Sequence, residues 1–171
     1  MSESLCRTIY TIGHSNHPIE VLLKLLHIHG IGQVVDVRSQ PYSRWASQFN
    51  REALQRAVEE AGLRYRFRGG RLGGRPQDPA LYAADSTSEH PRPDYGRMAE
   101  SHAFVQGLEE LMAIAAEQPT AVLCSEGDHR QCHRDKLLAP ALLRAGWCVQ
   151  HITPEGEAVT ASLPPEQLSL F

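Results

Sequence analysis

Short strand-like runs alternate with longer amphipathic segments along most of this chain. Between the runs, apolar residues recur with helical spacing over 19–28, 50–62, 104–115 and 132–145. Strands separated by helices of this length form parallel sheets with both faces covered. The pattern therefore predicts a single-domain α/β protein with a Rossmann-like, mostly parallel sheet and helices on both faces. The strand-like runs are RTIYTIG (7–13), GQVVDVR (32–38), LRYRFRG (63–69), TAVLCSE (120–126) and CVQHIT (148–153).

The length of the chain, 171 residues, is sufficient for one domain with its own apolar core. We predict an α/β domain over 1–153 and a flexible tail over 154–171, where no periodicity is visible. Within the domain, the Gly- and Pro-rich segment 69–100 is typical of a lid or a binding loop. No apolar run is long enough to span a bilayer and the first residues do not resemble a signal peptide, so we expect no membrane partner.

The four cysteines, Cys6, Cys124, Cys132 and Cys148, are too few and too scattered for a disulfide framework. Cytoplasmic proteins keep their thiols reduced, whereas small secreted domains often depend on disulfides. We therefore expect reduced cysteines and a cytoplasmic location.

Polar residues follow three of the predicted strands at the point where each strand ends. They lie in GHSN (13–16), DVRSQP (36–41) and CSEGDHRQCHR (124–134). Ligands of parallel α/β sheets bind beyond the carboxyl ends of the strands, so these segments should share one site. The residues delivered there are Gly13, His14, Ser15, Asp36, Arg38, Cys124, Glu126, Cys132, His133 and Arg134.

Four motifs in the sequence are specific enough to indicate a family. They are TIYTIGHS, VVDVRSQPYS, LGG and LCSEGDHRQCHR, the last followed by a helix-forming segment. Together they resemble the prokaryotic family called domain of unknown function 488, and the resemblance extends to about residue 153. It implies an α/β fold but no defined reaction, so the chemistry has to be argued from the residues.

The leading hypothesis for the chemistry uses a pair of carboxylates. Asp36 and Glu126 end two strands that are expected to be neighbours. Paired carboxylates can act as general acid and base, or stabilise an oxocarbenium-like charge at a sugar carbon. The alternative for Asp36 is a structural role as the partner of a buried arginine. The residues expected to bind the substrate or its phosphate are His14, Ser15, Arg38, His133 and Arg134.

Two other hypotheses use the cysteines. Cys124 and Arg130 have the C-x5-R spacing of loops that hold a thiolate and an oxyanion, although two acidic residues inside this loop would repel a phosphate. Alternatively, Cys124, Cys132 and His133, with His129 or Glu126 as a further ligand, would bind zinc, but adjacent residues of a helix do not easily point at one ion. We therefore expect no metal and no cofactor.

A cluster of arginines is the candidate nucleic-acid interface. Tyr65 and Phe67 alternate with three of its members along 63–69. Arginines contact phosphates, and interleaved aromatic side chains stack on bases. A solvated strand face is the alternative. The arginines are Arg64, Arg66, Arg68, Arg71 and Arg75.

The chain ends in QLSLF, after a polar segment rich in Pro and Glu. This peptide resembles the motif by which bacterial polymerases and repair proteins bind the DNA sliding clamp. Leu168, Leu170 and Phe171 would fill apolar pockets, and Gln167 would make polar contacts. We therefore predict the bacterial sliding clamp and DNA as partners.

Together these features predict a DNA-associated enzyme for repair or for base or nucleotide processing, for example by N-glycosidic hydrolysis. The enzyme would be tethered to the replication sliding clamp, and a base would leave the DNA stack to reach the site. Two alternatives stay open. One is a Cys- or metal-dependent enzyme that acts on a small anion or thiol, and the other is a non-catalytic adaptor for the clamp or DNA.

Overall fold

One six-stranded sheet organises the structure, a computed structural model that describes residues 5–163 and residue 165. The strand order is β3-β2-β4-β1-β5-β6, in which the first five strands in sequence are parallel and β6 is antiparallel to β5. The predicted Rossmann-like α/β architecture is confirmed. The strands are Thr8–Gly13 (β1), Gln33–Asp36 (β2), Arg64–Phe67 (β3), Thr120–Cys124 (β4), Cys148–Ile152 (β5) and Ala158–Thr160 (β6).

Helices cover both faces of this sheet. A π-helical segment, Arg134–Leu138, leads directly into the last of them. Within the described part of the chain, no helix is long and apolar enough to cross a bilayer. The α-helices are Ile19–Ile28 (α1), Arg51–Glu60 (α2), Gly69–Leu72 (α3), Tyr95–Glu100 (α4), His102–Ala115 (α5) and Ala139–Arg144 (α6).

Apolar side chains form a core on each face of the sheet. The helices α1 and α2 cover one face with residues such as Leu22, and α5 and α6 cover the other with residues such as Leu111. Successive residues of a strand point to opposite faces, so Val34 of β2 belongs to the first core and Val35 to the second. Burial on both faces explains why β4, with the sequence TAVLC, does not alternate between apolar and polar residues.

The connections at the carboxyl edge of the sheet open a crevice. The segments after β1 and β2 lead to helices on one face, whereas the segment after β4 leads to α6 on the other face. Because β4 lies between β1 and β2, the three connections separate at its carboxyl end. Such a position is the usual ligand site of an open α/β sheet.

The segment 69–100 is more regular than its composition predicts. It contains α3, a single 3-10 turn and α4. The side chains of Asp78 and Asp94 each accept a hydrogen bond from a main-chain N–H and so cap the last two of these elements. Near its ends, Leu72 and Met98 are buried in the second core, so the segment is anchored to the domain on both sides.

The helix expected over 132–145 is divided into the π-helical segment and α6. Pro140 lies near the start of α6 and has no N–H to donate to the preceding turn, where its ring also crowds the main chain. A regular α-helix therefore cannot continue through this position. Irregular turns of the π type often lie at functional sites, and this one directly follows His133.

Strand β6 lies where the sequence indicated a tail without regular structure. It pairs with β5 through Ile152 and Ala158, after a turn in which Gly156 has a φ of 92°. All three side chains of β6 are exposed, so this strand carries no apolar pattern that could have predicted it. Residues 164 and 166–171 lie outside the described part of the chain, and the candidate clamp peptide with them.

Cys6 and Cys148 form a disulfide, which corrects the expectation that all the cysteines are reduced. Cys6 precedes β1, and Cys148 begins the neighbouring strand β5, where it lies opposite Thr8. Strand pairing thus brings together two residues that are 142 positions apart in the sequence. Cys124 and Cys132 are free and buried.

Candidate functional site

A cavity of about 330 Å³ opens beyond the carboxyl ends of β2 and β4. We name it the cysteine cavity. Five residues from the predicted site border it together, which places the second and third polar segments at one location as expected. The lining residues are Arg38, Ser39, Gln40, Gly74, Arg75, Tyr95, Cys124, Ser125, Glu126, Gln131, Cys132 and His133.

A second cavity of about 330 Å³ adjoins the first and includes the segment after β1. Its wall contains His14 and Ser15, and we name it the aromatic cavity because Tyr42 and Trp45 also line it. The exposed fraction is 93% for Trp45 and 56% for Tyr42. Neither residue was selected from the sequence, although an indole in a polar loop is a recognisable signal for a stacking surface. The residues shared by both cavities are Arg38, Gln40, Ser125 and Glu126.

Asp36 is fully buried and does not line either cavity. Its Oδ1 accepts hydrogen bonds from Nε and the main-chain N–H of Arg38, at 2.9 and 3.1 Å. Its Oδ2 accepts from Nη2 of Arg38 at 2.8 Å and from the hydroxyl of Tyr65 at 2.5 Å. Burial, followed by this bond to Asp36, raises the pKa of Tyr65. Asp36 therefore positions Arg38 rather than facing a substrate, which departs from the acid–base role predicted for it.

His14 is buried and supports Arg38 from the other side. Its ring stacks on Phe49 with centroids 4.4 Å apart, and its Nδ1 lies 2.7 Å from the carbonyl oxygen of Ser15. A bond to a carbonyl requires a proton on Nδ1, so Nε2 accepts from Nη1 of Arg38 at 3.3 Å. Burial lowers the pKa of His14 to about 4, which keeps the imidazole neutral at pH 7.

The sulfur atoms of Cys124 and Cys132 lie 2.7 Å apart in the wall of the cysteine cavity. A hydrogen bond from the Cys124 thiol lowers the pKa of Cys132 to about 4. The same interaction, together with burial, raises the pKa of the Cys124 thiol. These opposite shifts favour a Cys132 thiolate next to a Cys124 thiol, which is a nucleophile beside a proton donor.

His133 lies on the other side of Cys132. Its Nδ1 is 3.6 Å from the Cys132 sulfur, and its Nε2 is 3.0 Å from the carbonyl oxygen of Leu72. A Cβ atom on Gly74 would lie 2.9 Å from the His133 ring, and one on Gly73 would lie 2.2 Å from the hydroxyl of Ser39. The LGG motif is thus explained by close packing, because its glycines let the main chain close over the imidazole.

Glu126 and Arg134 have different environments although they lie in one motif. The side chain of Glu126 is exposed and borders both cavities. Arg134 is fully buried, and its Nη2 donates to the carbonyl oxygens of Glu126 and Gly127 at 2.7 and 2.9 Å. Arg134 therefore shapes the loop after β4 and does not contact the space where a substrate would bind, contrary to its predicted binding role.

Close packing explains the glycine of the first motif, Gly13, which ends β1. A Cβ atom at this position would lie 1.6 Å from the carbonyl oxygen of Glu126 and 3.0 Å from a nitrogen of the Arg134 guanidinium. The end of β1 and the loop after β4 can therefore approach each other only if residue 13 has no side chain. The next residues continue this contact, because the N–H groups of His14 and Ser15 donate to the carbonyls of Cys124 and Ser125.

The loop after β4 does not use Arg130 as an oxyanion ligand. The guanidinium of Arg130 is exposed and donates to the carboxylate of Asp128 at 3.0 Å, and it does not line either cavity. Although Cys124 and Arg130 have the C-x5-R spacing, the segment between them does not form a phosphate-binding loop in this structure.

Most of the arginine cluster is paired with carboxylates. Arg64 and Arg66 lie 3.7 and 3.2 Å from Glu117. Arg68 and Arg71 both pair with Glu110. Of the five arginines in the cluster, Arg75 alone forms no salt bridge with residues 5–163. Its side chain lines the cysteine cavity instead. The positive charge expected for a nucleic-acid interface is thus largely compensated.

The aromatic residues of β3 are also not arranged for stacking on bases. Tyr65 is buried with its hydroxyl on Asp36. Phe67 lies under the guanidinium of Arg51, whose carbon is 4.1 Å from the ring centroid. The exposed aromatic residues Tyr42 and Trp45, on the loop after β2, are better placed for that role.

Comparison with known protein families identifies the family of this chain. Residues 18–140 match the family described as Domain of unknown function DUF488. The chain belongs to this family. The match covers most of the chain and includes the segments of this DUF488 domain that carry Arg38, Cys124, Glu126, Cys132 and His133. A comparison with curated proteins and a comparison with solved structures each found no match.

Proposed function

We propose that this DUF488 protein is an enzyme that uses Cys132 and Cys124 for thiol–disulfide exchange with a small polar disulfide. The observation that carries the proposal is the pair of sulfur atoms 2.7 Å apart in a cavity wall. The depressed pKa of Cys132 supports it, because the thiolate is the form that attacks a disulfide. This function corresponds to one of the alternatives from the sequence, an enzyme that acts on a small anion or thiol.

The exchange has two steps. The Cys132 thiolate attacks one sulfur of the substrate disulfide, forms a mixed disulfide and releases the other half of the substrate as a thiolate. The Cys124 thiol then gives up its proton and attacks the sulfur of Cys132. The second half of the substrate leaves with that proton as a thiol, and a Cys124–Cys132 disulfide remains. Two electrons pass from the protein to the substrate, and a low-molecular-weight thiol returns the pair to its reduced form.

Charged groups around the thiol pair would select and orient the substrate. Asp36 holds the guanidinium of Arg38 in place but also compensates its charge. Arg75 is therefore the group best suited to bind a carboxylate of the substrate. The exposed carboxylate of Glu126 lies in the same wall and can relay the proton from Cys124 to the departing half of the substrate.

Charge selectivity tests this assignment. The protein should accelerate exchange of oxidised glutathione with a small thiol, and Arg75→Glu should lower kcat/KM for this anionic disulfide by about tenfold. The same substitution should change the rate with neutral hydroxyethyl disulfide much less. Arg56→Glu is the matched control, since Arg56 is exposed on α2 and lines neither cavity. Full activity in Cys132→Ser with either disulfide would refute the proposal.

A second candidate function is processing of a nucleotide or a base in DNA. The exposed indole of Trp45 favours it, because an aromatic side chain beside a cavity provides a stacking surface for a base that has left the duplex. Glu126 would serve as the acid–base group for hydrolysis at the sugar carbon, without Asp36 as its partner. The clamp peptide would bring the enzyme to DNA, which also implies a cytoplasmic location.

Binding to a bacterial sliding clamp tests the DNA-associated function. The full chain should bind the clamp weakly, with a dissociation constant on the order of micromolar, because five residues bury little surface area. A variant that lacks 167–171 should lose this binding. Quenching of Trp45 fluorescence by single-stranded DNA should persist in the truncated chain and disappear in Trp45→Phe. Equal clamp binding by the full and truncated chains, together with no quenching, would leave no support for this function.

A further inference from the structure

Three potential metal ligands converge outside the two cavities. His129 lies in the 3-10 turn after β4, Asp135 in the π-helical segment and His151 in β5. One oxygen of Asp135 is 3.3 Å from Nδ1 of His129 and 3.3 Å from Nε2 of His151. The three ligand atoms all lie within 4.8 Å of one another. We propose that His129, Asp135 and His151 bind one divalent transition-metal ion, of which zinc is the best match.

His151 gives an independent indication that something belongs at this position. Its side chain is 1% exposed, and its Nε2 is buried without a hydrogen-bond partner among the described residues. The separation from Asp135 is within ion-pair distance, but the geometry does not form a hydrogen bond. A buried polar atom without a partner reduces stability, and a bound cation would remove that deficit.

Neighbouring residues orient His151 as a ligand. Its Nδ1 is 2.6 Å from the hydroxyl oxygen of Thr11, which also accepts a bond from Nη1 of Arg134 at 3.3 Å. The Thr11 oxygen has a second lone pair that can accept from Nδ1–H, and in that tautomer the lone pair of Nε2 is directed at Asp135. Metal-binding histidines are typically held in this way through their other ring nitrogen.

The distances suit a small tetrahedral ion. Ligands about 2.0–2.1 Å from zinc lie roughly 3.3–3.4 Å from one another in a tetrahedron, close to the two separations at Asp135. Two imidazoles and one carboxylate leave a fourth position open, and the 18% and 36% exposure of His129 and Asp135 gives that position access to solvent. Of the zinc ligands considered from the sequence, this set shares only His129 and uses neither of the two cysteines.

The position of the site suggests what the ion would do. His129 and Asp135 flank the segment that carries Cys132, so an ion would tie both ends of that segment to β5. Stacking of the His129 and His151 rings, with centroids 4.1 Å apart, brings the same elements together. The inference does not depend on thiol exchange, because none of the three ligands lines either cavity.

Cobalt and zinc titrations of the full chain, after removal of metals with a chelator, test the site. We expect one equivalent of Co²⁺ to bind with visible bands of tetrahedral coordination, and Zn²⁺ to displace it and raise Tm. His129→Gln and Asp135→Asn should each weaken binding by about tenfold or more. His102→Gln, which removes an exposed histidine of α5, is the matched control.

The thiols have to be separated from this site in the same experiment. Cys124→Ser with Cys132→Ser should leave cobalt binding intact and without sulfur charge-transfer absorption. Circular dichroism checks that each variant is folded, and the two partly exposed ligands provide independent variants. No binding, binding that persists in both ligand variants, or binding that disappears with the cysteines would each overturn the proposal. If His129, Asp135 and His151 form only a hydrogen-bonded cluster, no metal will bind.

Discussion

Alkylation of Cys132 by iodoacetamide is expected to remain fast down to about pH 5. The pKa of Cys132 is lowered to about 4, so the thiolate predominates above this pH and is lost only as the pH falls through it. An ordinary thiol, with a pKa near 8.5, loses roughly a thousandfold of its thiolate between pH 8 and pH 5. Over the same pH range, the thiolate fraction of Cys132 should fall by less than about tenfold. The measurement is the rate of labelling of the Cys132 peptide by mass spectrometry between pH 4 and pH 8.

Two variants identify the cause of this reactivity. Cys124→Ala removes the thiol that donates to Cys132, so the pKa of Cys132 should rise and its labelling at pH 5 should fall steeply. Cys132→Ser should abolish labelling at pH 5, because burial of the remaining free thiol, Cys124, still raises its pKa without Cys132. If the labelling of Cys132 in the natural chain follows the pH curve of free glutathione, the thiolate assignment is wrong.

Asp36→Asn is expected to destabilise the protein by about 3–5 kcal/mol. The substitution leaves the guanidinium of Arg38, which is 6% exposed, without its charged partner. Tyr65→Phe removes one of the hydrogen bonds to the same carboxylate and should cost about 1 kcal/mol. The measurement is the free energy of unfolding from urea titration.

Tyr42→Phe is the matched control for these two variants. Its hydroxyl donates to Glu52 at 2.7 Å on the exposed surface, where loss of the bond should leave the free energy of unfolding nearly unchanged. A cost below about 1 kcal/mol for Asp36→Asn would mean that Asp36 and Arg38 are not a buried pair in solution. Asp36 would then again be a candidate catalytic residue.

The fold could be predicted from the sequence because its signals are local. The apolar run of α1 between Pro18 and Gly30 has the same bounds, Ile19–Ile28, in the sequence pattern and in the structure. Strand β4, TAVLC, is nearly uniformly apolar, since it lies inside a sheet with both faces covered. The topology of such a sheet then brings the polar ends of its strands together, which is why Arg38, Glu126 and Cys132 were selected correctly as neighbours.

The roles of these residues depend on contacts that no local pattern contains. Asp36 ends a strand next to the crevice, but Tyr65 and Arg38 occupy both of its oxygens from a neighbouring strand and a following loop. The sulfur pair depends on how the turn after β4 folds back. Glu110 of α5 and Glu117, which follows α5, together pair with four of the five arginines. Nothing in the sequence around β3 reveals these two partners.

The stoichiometry of the reaction with dithiobis(nitrobenzoate), an anionic disulfide that releases a coloured thiolate, tests the thiol pair most directly. The natural chain should release about two equivalents and retain no label, because Cys124 displaces the label from Cys132 and closes the Cys124–Cys132 disulfide. Cys124→Ser should release about one equivalent and keep one label on Cys132. Retention of the label on Cys132 in the natural chain, or equal release by Cys132→Ser, would contradict exchange through this pair.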